Sequence, residues 1–238
     1  MERLAQMVDL ETQLLALVND WAMARSGPFL IGIAGGVAVG KSTLARSLAA
    51  GLNQARPDVP VEVVATDGFL RPNRELEAVG LTLKKGFPET YDQDAFHAFL
   101  AELAVGNPAP TPIYSHVSYD ILPGETRTVA ASGVVIVEGL NVLQTEAARR
   151  CFHLTLYVDA EPEHAKAWYL ARLHQIIADD PQSFFARLDP AQRDAMFEAA
   201  WTHLNLLNLR EHIAPTAAFA EVVVRKGADH ALVELVMR

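Results

Sequence analysis

Residues 35–42 read Gly-Gly-Val-Ala-Val-Gly-Lys-Ser. Gly35, Gly40, Lys41 and Ser42 fit the spacing G-x-x-x-x-G-K-[ST]. That spacing suits a polyphosphate. Glycines let successive backbone N–H groups turn inward around an anion, and the helix that follows adds free N–H groups and its positive dipole end. Gly36, Val37, Ala38, Val39 and Thr43 complete the cradle. Lys41 supplies a point charge for the β- and γ-phosphates, and the Ser42 hydroxyl is a hard oxygen ligand for Mg²⁺. Two acids could share that site. Asp67 stands in Thr66-Asp67-Gly68-Phe69, and Glu138 stands before Gly139. A third group gathers Tyr114, His116 and Tyr119 within six residues. It could line a small-molecule site, or it could be structural.

These residues need elements to carry them. Ile31 and Ile33 with their apolar neighbours form a buried strand ahead of the glycines, and Thr43–Gly51 reads as an amphipathic helix ending at glycine. Val61–Thr66 is β-branched and apolar, as a buried parallel strand is, and it delivers Asp67 at its carboxyl end. In an open α/β sheet the ligand crevice lies at those ends. Asp67 is thus either a catalytic carboxylate or a turn aspartate before glycine. Val134–Val137 repeats the arrangement with Glu138, and such an acid orients Mg²⁺ or its water shell. Leu154–Val158 with Asp159, and Glu221–Arg225, complete five apolar strands. Helices are expected at residues 2–24, stopped by Ser26-Gly27-Pro28, and at 92–105, 162–177, 191–209 and 229–236. Residues 71–91 read as a long loop with one helical turn, and Gly106–Pro112 as a proline-rich turn. Arg172, on the 162–177 helix, is either a solvated cation or one placed over a transferring phosphoryl group. The alternation predicts an α/β fold: a mostly parallel five-stranded sheet with helices on both faces. The expected organisation is an N-terminal helix over 1–27 and a nucleotide-binding domain over 28–238, with insertions near 71–120 and 160–212.

Composition removes several classes of function. The chain has 238 residues, half of them hydrophobic, and 29 acidic against 20 basic side chains give a net charge of −9. Such a surface has no general attraction for nucleic acid or anionic membrane. The one cysteine, Cys151, makes neither an intrachain disulfide nor a zinc site, which suits a reducing compartment. No apolar run is long enough to span a bilayer, and Glu2, Asp9 and Glu11 do not suit a secretory signal. A cytoplasmic protein is expected.

Longer motifs then point to one family. The P-loop AGGVAVGKST, Thr66–Leu70, Lys84-Lys85-Gly86-Phe87-Pro88-Glu89, Tyr114-Ser115-His116, Glu138–Gln144 and Asn205–Leu209 together resemble bacterial type I pantothenate kinase, in order from about Pro28 to Val236. The resemblance implies a P-loop kinase related to uridine kinases and phosphoribulokinases. Such an enzyme passes the ATP γ-phosphoryl group to the primary hydroxyl of pantothenate, the first step toward coenzyme A. It implies Asp67 as base, Lys41 and Arg172 as cations on the phosphoryl group, and Ser42 and Glu138 as Mg²⁺ holders. Tyr114, His116, Tyr169 and Asn205 would line the pantothenate pocket. Lys226 and His230 would flank the nucleotide base, and Arg46 would meet the phosphates of inhibitory coenzyme A. The family forms homodimers through a long helix, a part residues 2–24 could play.

Two departures from the family pattern are visible. The family has a longer stretch ahead of the P-loop that touches adenine, where one helix is expected here, which leaves the choice between ATP and GTP open. The aromatic wall that the family places around the coenzyme A thiol reads Leu173, Ile176, Phe184, Phe185 and Leu188 in this chain. Fewer rings imply weak inhibition by coenzyme A. The competing readings are a related kinase for another small alcohol, such as a nucleoside or sugar, and a non-catalytic nucleotide or coenzyme A sensor.

Overall fold

Val134–Val137 has no polar side chain, and Val134–Glu138 (β5) is buried from end to end. That is the signature of a central parallel strand covered on both faces. Its neighbour Phe29–Gly35 (β1) is buried throughout as well. The computed structural model describes residues 2–25, 27–180, 182 and 185–238, with residues 2–9 as backbone alone. The side chains of Leu4, Met7 and Val8, together with Ser26, Pro181 and Phe184, lie outside the described residues.

Around these two strands the chain sets Val61–Ala65 (β2), Leu154–Ala160 (β6), Val222–Lys226 (β7) and Leu232–Met237 (β8). Among the described residues the order is β2-β5-β1-β6-β7-β8. The pairs from β2 to β7 are parallel, and β8 returns antiparallel on β7. The expected five-stranded parallel core is therefore present, with a sixth strand at its edge. The alternation of side chains along each strand divides the core in two. Ile31, Ile33, Ile136, Leu154 and Leu156 face one side, where Leu14 and Val18 of Glu2–Met23 (α1) and Leu44, Leu48 and Leu52 of Lys41–Ala55 (α2) cover them. Leu30, Val135, Val137 and Tyr157 face the other, under Phe96, Phe99, Leu100 and Leu103 of Gln93–Ala104 (α4). Each fully buried leucine or isoleucine is worth roughly 1.5–3 kcal/mol over exposure.

Three expectations are corrected. Residues 229–236 form a turn and then the edge strand β8 rather than a helix. Gly227 N–H donates to the Ala231 carbonyl at 2.8 Å, and His230 takes a positive φ of 64°, so a tight turn folds the chain back on β7 before a helix can start. Gly51 does not end the P-loop helix, which runs on to Ala55. It is small because Leu15 of α1 crosses over it: a Cβ there would meet Leu15 at 2.5 Å. Pro110 and Pro112 lie in a strand, Ala109–Ser115 (β3), paired with Asp120–Val129 (β4) in a separate two-stranded ribbon. Proline is tolerated there because a ribbon edge needs no second ladder of N–H donors.

Two other segments are more helical than expected. Residues 71–91 contain Asn73–Ala78 (α3) and two 3₁₀ turns, Thr82–Lys84 and Pro88–Thr90. Beyond the short Glu146–Arg149 (α5) comes Pro162–Asp179 (α6), as the spacing predicts. Pro190–Ala200 (α7) then passes into π turns at Trp201–Asn205 and Leu209–Ile213, with Leu206–Asn208 (α8) between them. π turns concentrate at functional sites.

Candidate active site

Strand order explains why the acids and the glycine loop meet. β5 lies between β2 and β1, and Glu138 is level with Ala65 on one side and Ile33 on the other. Asp67 follows two residues beyond Ala65, in the first turn of the 3₁₀ segment Thr66–Phe69. The P-loop follows β1. All three leave the same rim of the sheet. There they line one cleft of ≈ 1070 Å³.

At the floor of the cleft, Gly40 caps α2 with φ 84°, a left-handed angle that glycine adopts without strain. A side chain there would also meet the Lys226 ammonium at 2.7 Å. Buried Lys41 donates from Nζ to the Gly36 carbonyl at 2.6 Å. Burial lowers the pKa of this lysine, Glu138 and Asp67 act to raise it, and Arg172 acts to lower it. The loop lysine thus senses the two acids and the helix arginine at once. Ser42 Oγ donates to Glu138 Oε1 at 2.7 Å.

A hydroxyl and a carboxylate in contact beside a phosphate cradle are the hard oxygen donors that Mg²⁺ takes when phosphates and water complete its shell. Among the described residues no cluster of three or more His, Cys, Asp or Glu side chains offers a self-sufficient metal site. Ser42 and Glu138 are the residues that could hold a nucleotide-borne Mg²⁺.

The cleft has two ends. At one stand Asp67 and His116, with Leu140 beside them. Tyr114 packs edge-on to His116, ring centroids 5.2 Å apart. Burial first, then Asp67, pushes its phenol up to about 12. Away from these stand Lys226, His230 and Trp168; Arg172 lies within electrostatic reach of Lys41, and Arg46, with Glu11 and Leu15 of α1, completes the lining. His230 stacks on Trp168 at 3.9 Å, with 22° between the ring planes. Burial, then Lys226, lowers the His230 pKa, and Asp229 acts to raise it.

Of the residues expected from sequence, Val37, Ala38, Gly40, Lys41, Ser42, Thr43, Arg46, Asp67, His116, Glu138, Arg172, Lys226 and His230 line this cleft. Gly36 and Val39 line a smaller hollow of ≈ 230 Å³ behind the loop, and Gly35 packs against Val158. Tyr114 stands beside the acceptor end. Tyr169 faces Asn205 and tilts against Trp201 at 5.6 Å, and neither Tyr169 nor Asn205 is among the residues lining the cleft.

Sequence reasoning missed Trp168, whose indole N–H donates to the Ala228 carbonyl at 3.1 Å and so fixes the turn that carries His230. It also gave no role to Lys85. That ammonium donates to Asn73 Oδ1 at 2.6 Å and the Tyr119 carbonyl at 2.5 Å, and lies 5.1 Å from the Tyr114 ring. Its pKa is lowered by burial and pulled back up by Asp120 and Asp67. The run of basic residues in a long loop was the available signal.

Comparison with known proteins agrees with this geometry. The sequence profile described as "Phosphoribulokinase / Uridine kinase family" matches residues 30–175. A protein named pantothenate kinase from Streptomyces avermitilis is 44% identical over 228 residues, covering 89% of this chain and 69% of that one. The chain belongs to this kinase family, in its pantothenate kinase branch. A second relative so named, from Bradyrhizobium sp., is 41% identical over 231 residues, covering 90% and 73%. Among solved structures, D-glycerate 3-kinase from Cryptococcus neoformans superposes with a TM-score of 0.73 at 12% identity, covering 96% of this chain and 99% of that one. At that identity the likeness is one of fold. The profile and the relatives make the chain a P-loop kinase. No helix among the described residues is long and apolar enough to cross a membrane.

Proposed function

We propose that this chain transfers the γ-phosphoryl group of ATP to the primary hydroxyl of pantothenate, giving 4'-phosphopantothenate. The observation that carries the reading is the shared cleft: a polyphosphate cradle, a Mg²⁺-competent Ser42–Glu138 pair and a free carboxylate, Asp67, at one rim. Family membership supplies the acceptor.

The chemistry follows from the placement of the groups. The P-loop amides and Lys41 hold the β- and γ-phosphates, and the purine lies toward His230 and Trp168. Pantothenate enters past His116 and Tyr114 and turns its hydroxyl to Asp67. The carboxylate takes the hydroxyl proton as the oxygen bonds to Pγ and the bridge to the β-phosphate breaks. Lys41 and Arg172 hold the negative charge on the phosphoryl oxygens during transfer. Bound Mg²⁺ would neutralise charge between the β- and γ-phosphates. Tyr169 and Asn205 stand outside the cleft, with Tyr169 packed against the core, and would serve the carboxylate end of pantothenate only by turning their polar groups toward it.

Two expected results accompany the proposal. In a panel of pantothenate, uridine and fructose with MgATP, phosphate transfer occurs to pantothenate alone. Added coenzyme A competes with ATP only above the micromolar range, because few rings replace the family's aromatic wall. Transfer to uridine or fructose in preference would overturn the acceptor, and sub-micromolar competition would overturn the pocket argument. The second result concerns assembly. We propose a homodimer. Leu14 and Val18 of α1 already pack into the chain's own core, which leaves the opposite side of that helix for a partner. Sedimentation equilibrium is expected to give twice the chain mass, and a monomer at micromolar concentration contradicts the proposal.

A further inference from the structure

The carbonyl of Gly86 joins three segments: the loop of Lys85, which reaches the Tyr114 ring, the turn of Leu140, which lines the cleft with Asp67 and His116, and α8, which follows Asn205. Asn141 Nδ2 donates to it at 3.1 Å and Asn208 Nδ2 at 2.9 Å. Both asparagines are buried, 4% and 5% exposed, so these bonds form away from water. The carbonyl has two lone pairs and both are engaged.

Gly86 is built to present it. Its φ is 99°, which disfavours a side chain, and a Cβ would crowd Leu140 at 3.3 Å. Its N–H donates to Thr90 Oγ1 at 3.0 Å, and that hydroxyl donates to the Phe87 carbonyl at 2.7 Å, so the loop is braced from within. Neither asparagine completes its own hydrogen bonding: Oδ1 of each is buried with no partner among the described residues. Two carboxamides so poorly repaid are a poor choice for stability alone, where apolar side chains of similar size would serve better.

What the junction orders is visible on each segment. One residue before Gly86 is Lys85, whose ammonium joins α3 to the β3–β4 turn beside Tyr114. Three residues before Asn141 is Glu138, bonded to Ser42. Three residues before Asn208 is Asn205, which faces Tyr169 on α6. The nucleotide end of the cleft, with Lys226, His230 and Trp168, has no part in it.

We propose that Asn141 and Asn208 are positioning residues that lock the acceptor half of the site in register through the Gly86 carbonyl. The inference rests on the reading of the Asp67–His116 end as the pantothenate site. Asn208→Ala is expected to raise KM for pantothenate about tenfold, and KM for ATP to stay within about twofold, since the phosphate cradle is untouched. Asn208→Asp keeps the size and loses the donor when ionised. A protonated Asp regains an O–H for the carbonyl, and burial raises the pKa of such a group. Its pantothenate KM is therefore expected to fall toward the wild-type value between about pH 8 and pH 6, while that of Asn208→Ala does not. Asn141→Ala is expected to repeat the first effect, and the double alanine variant to cost less than the product of the two, because both serve one carbonyl.

Parallel rises in both KM values, or an unchanged pantothenate KM with a lowered Tm, would mean that the asparagines only hold the fold. Wild-type protein that phosphorylates no pantothenate would instead remove the functional reading on which the proposal stands. If Asn208→Ala does not fold, Asn141→Ala and the pH profile of Asn208→Asp decide the matter.

Discussion

Asp67→Asn is expected to lower turnover by about 100-fold or more while ATP affinity changes by less than about twofold. The carboxylate stands at the rim of the cleft, one short turn beyond β2, while the phosphate contacts come from the loop after β1. Removing the base leaves those contacts in place. The amide has nearly the same shape, and Asp67 makes no ion pair among the described residues, so the effect falls on chemistry. About 100-fold is about 2.7 kcal/mol of transition-state stabilisation, within the usual range for one positioned proton acceptor. Turnover by coupled assay beside ATP binding by calorimetry separates the two quantities. Near wild-type turnover would take the base role away from Asp67.

The second large effect is expected at Lys41. Lys41→Met, which keeps the stem and removes the charge, lowers kcat by about 10²–10³-fold, the loss typical of one preorganised donor to developing charge. The ammonium rests on the Gly36 carbonyl at 2.6 Å, inside the loop that receives the phosphates. It has only to turn from that carbonyl to an incoming phosphate oxygen, and Glu138 and Asp67 favour its charged form against the burial. MgATP binding is expected to weaken as well, because the β-phosphate is met in the ground state. A kcat within tenfold of wild type, measured at saturating MgATP, would assign the charge stabilisation elsewhere, with Arg172 the first residue to test.

How much of this could be read from the chain depends on how local each signal is. The P-loop is spelled by consecutive residues, so its turn, its helix and the Ser42–Glu138 contact follow from backbone rules and from one strand per acid. Asp67 and Glu138 were legible because an apolar β-branched run tells where a buried strand ends. The edge strand β8 was not. Asp229 resembles a helix cap, and the decisive fact, a tight turn at residues 227–231 that returns the chain to β7, is a tertiary pairing. Pro110 and Pro112 signalled a turn because proline usually does, and only the ribbon partner shows that their missing N–H groups go unneeded. Trp168 was hidden as one apolar residue among many on a helix, since its importance comes from His230, sixty-two positions on. The Gly86 junction was hidden for the same reason: residues 86, 141 and 208 have no relation in sequence.

The central claim is that a phosphate cradle and one acid at the same edge of a sheet hold the γ-phosphate and an alcohol in line. The most direct measurement is a crystal structure with pantothenate and a non-hydrolysable ATP analogue carrying Mg²⁺. The expected result is the primary hydroxyl between the Asp67 carboxylate, at about 2.6–3.2 Å, and the γ-phosphorus, with Lys41 on the phosphate oxygens. A pantothenate hydroxyl turned away from Asp67, or an analogue bound with its γ-phosphate outside the loop of residues 35–42, would contradict the account.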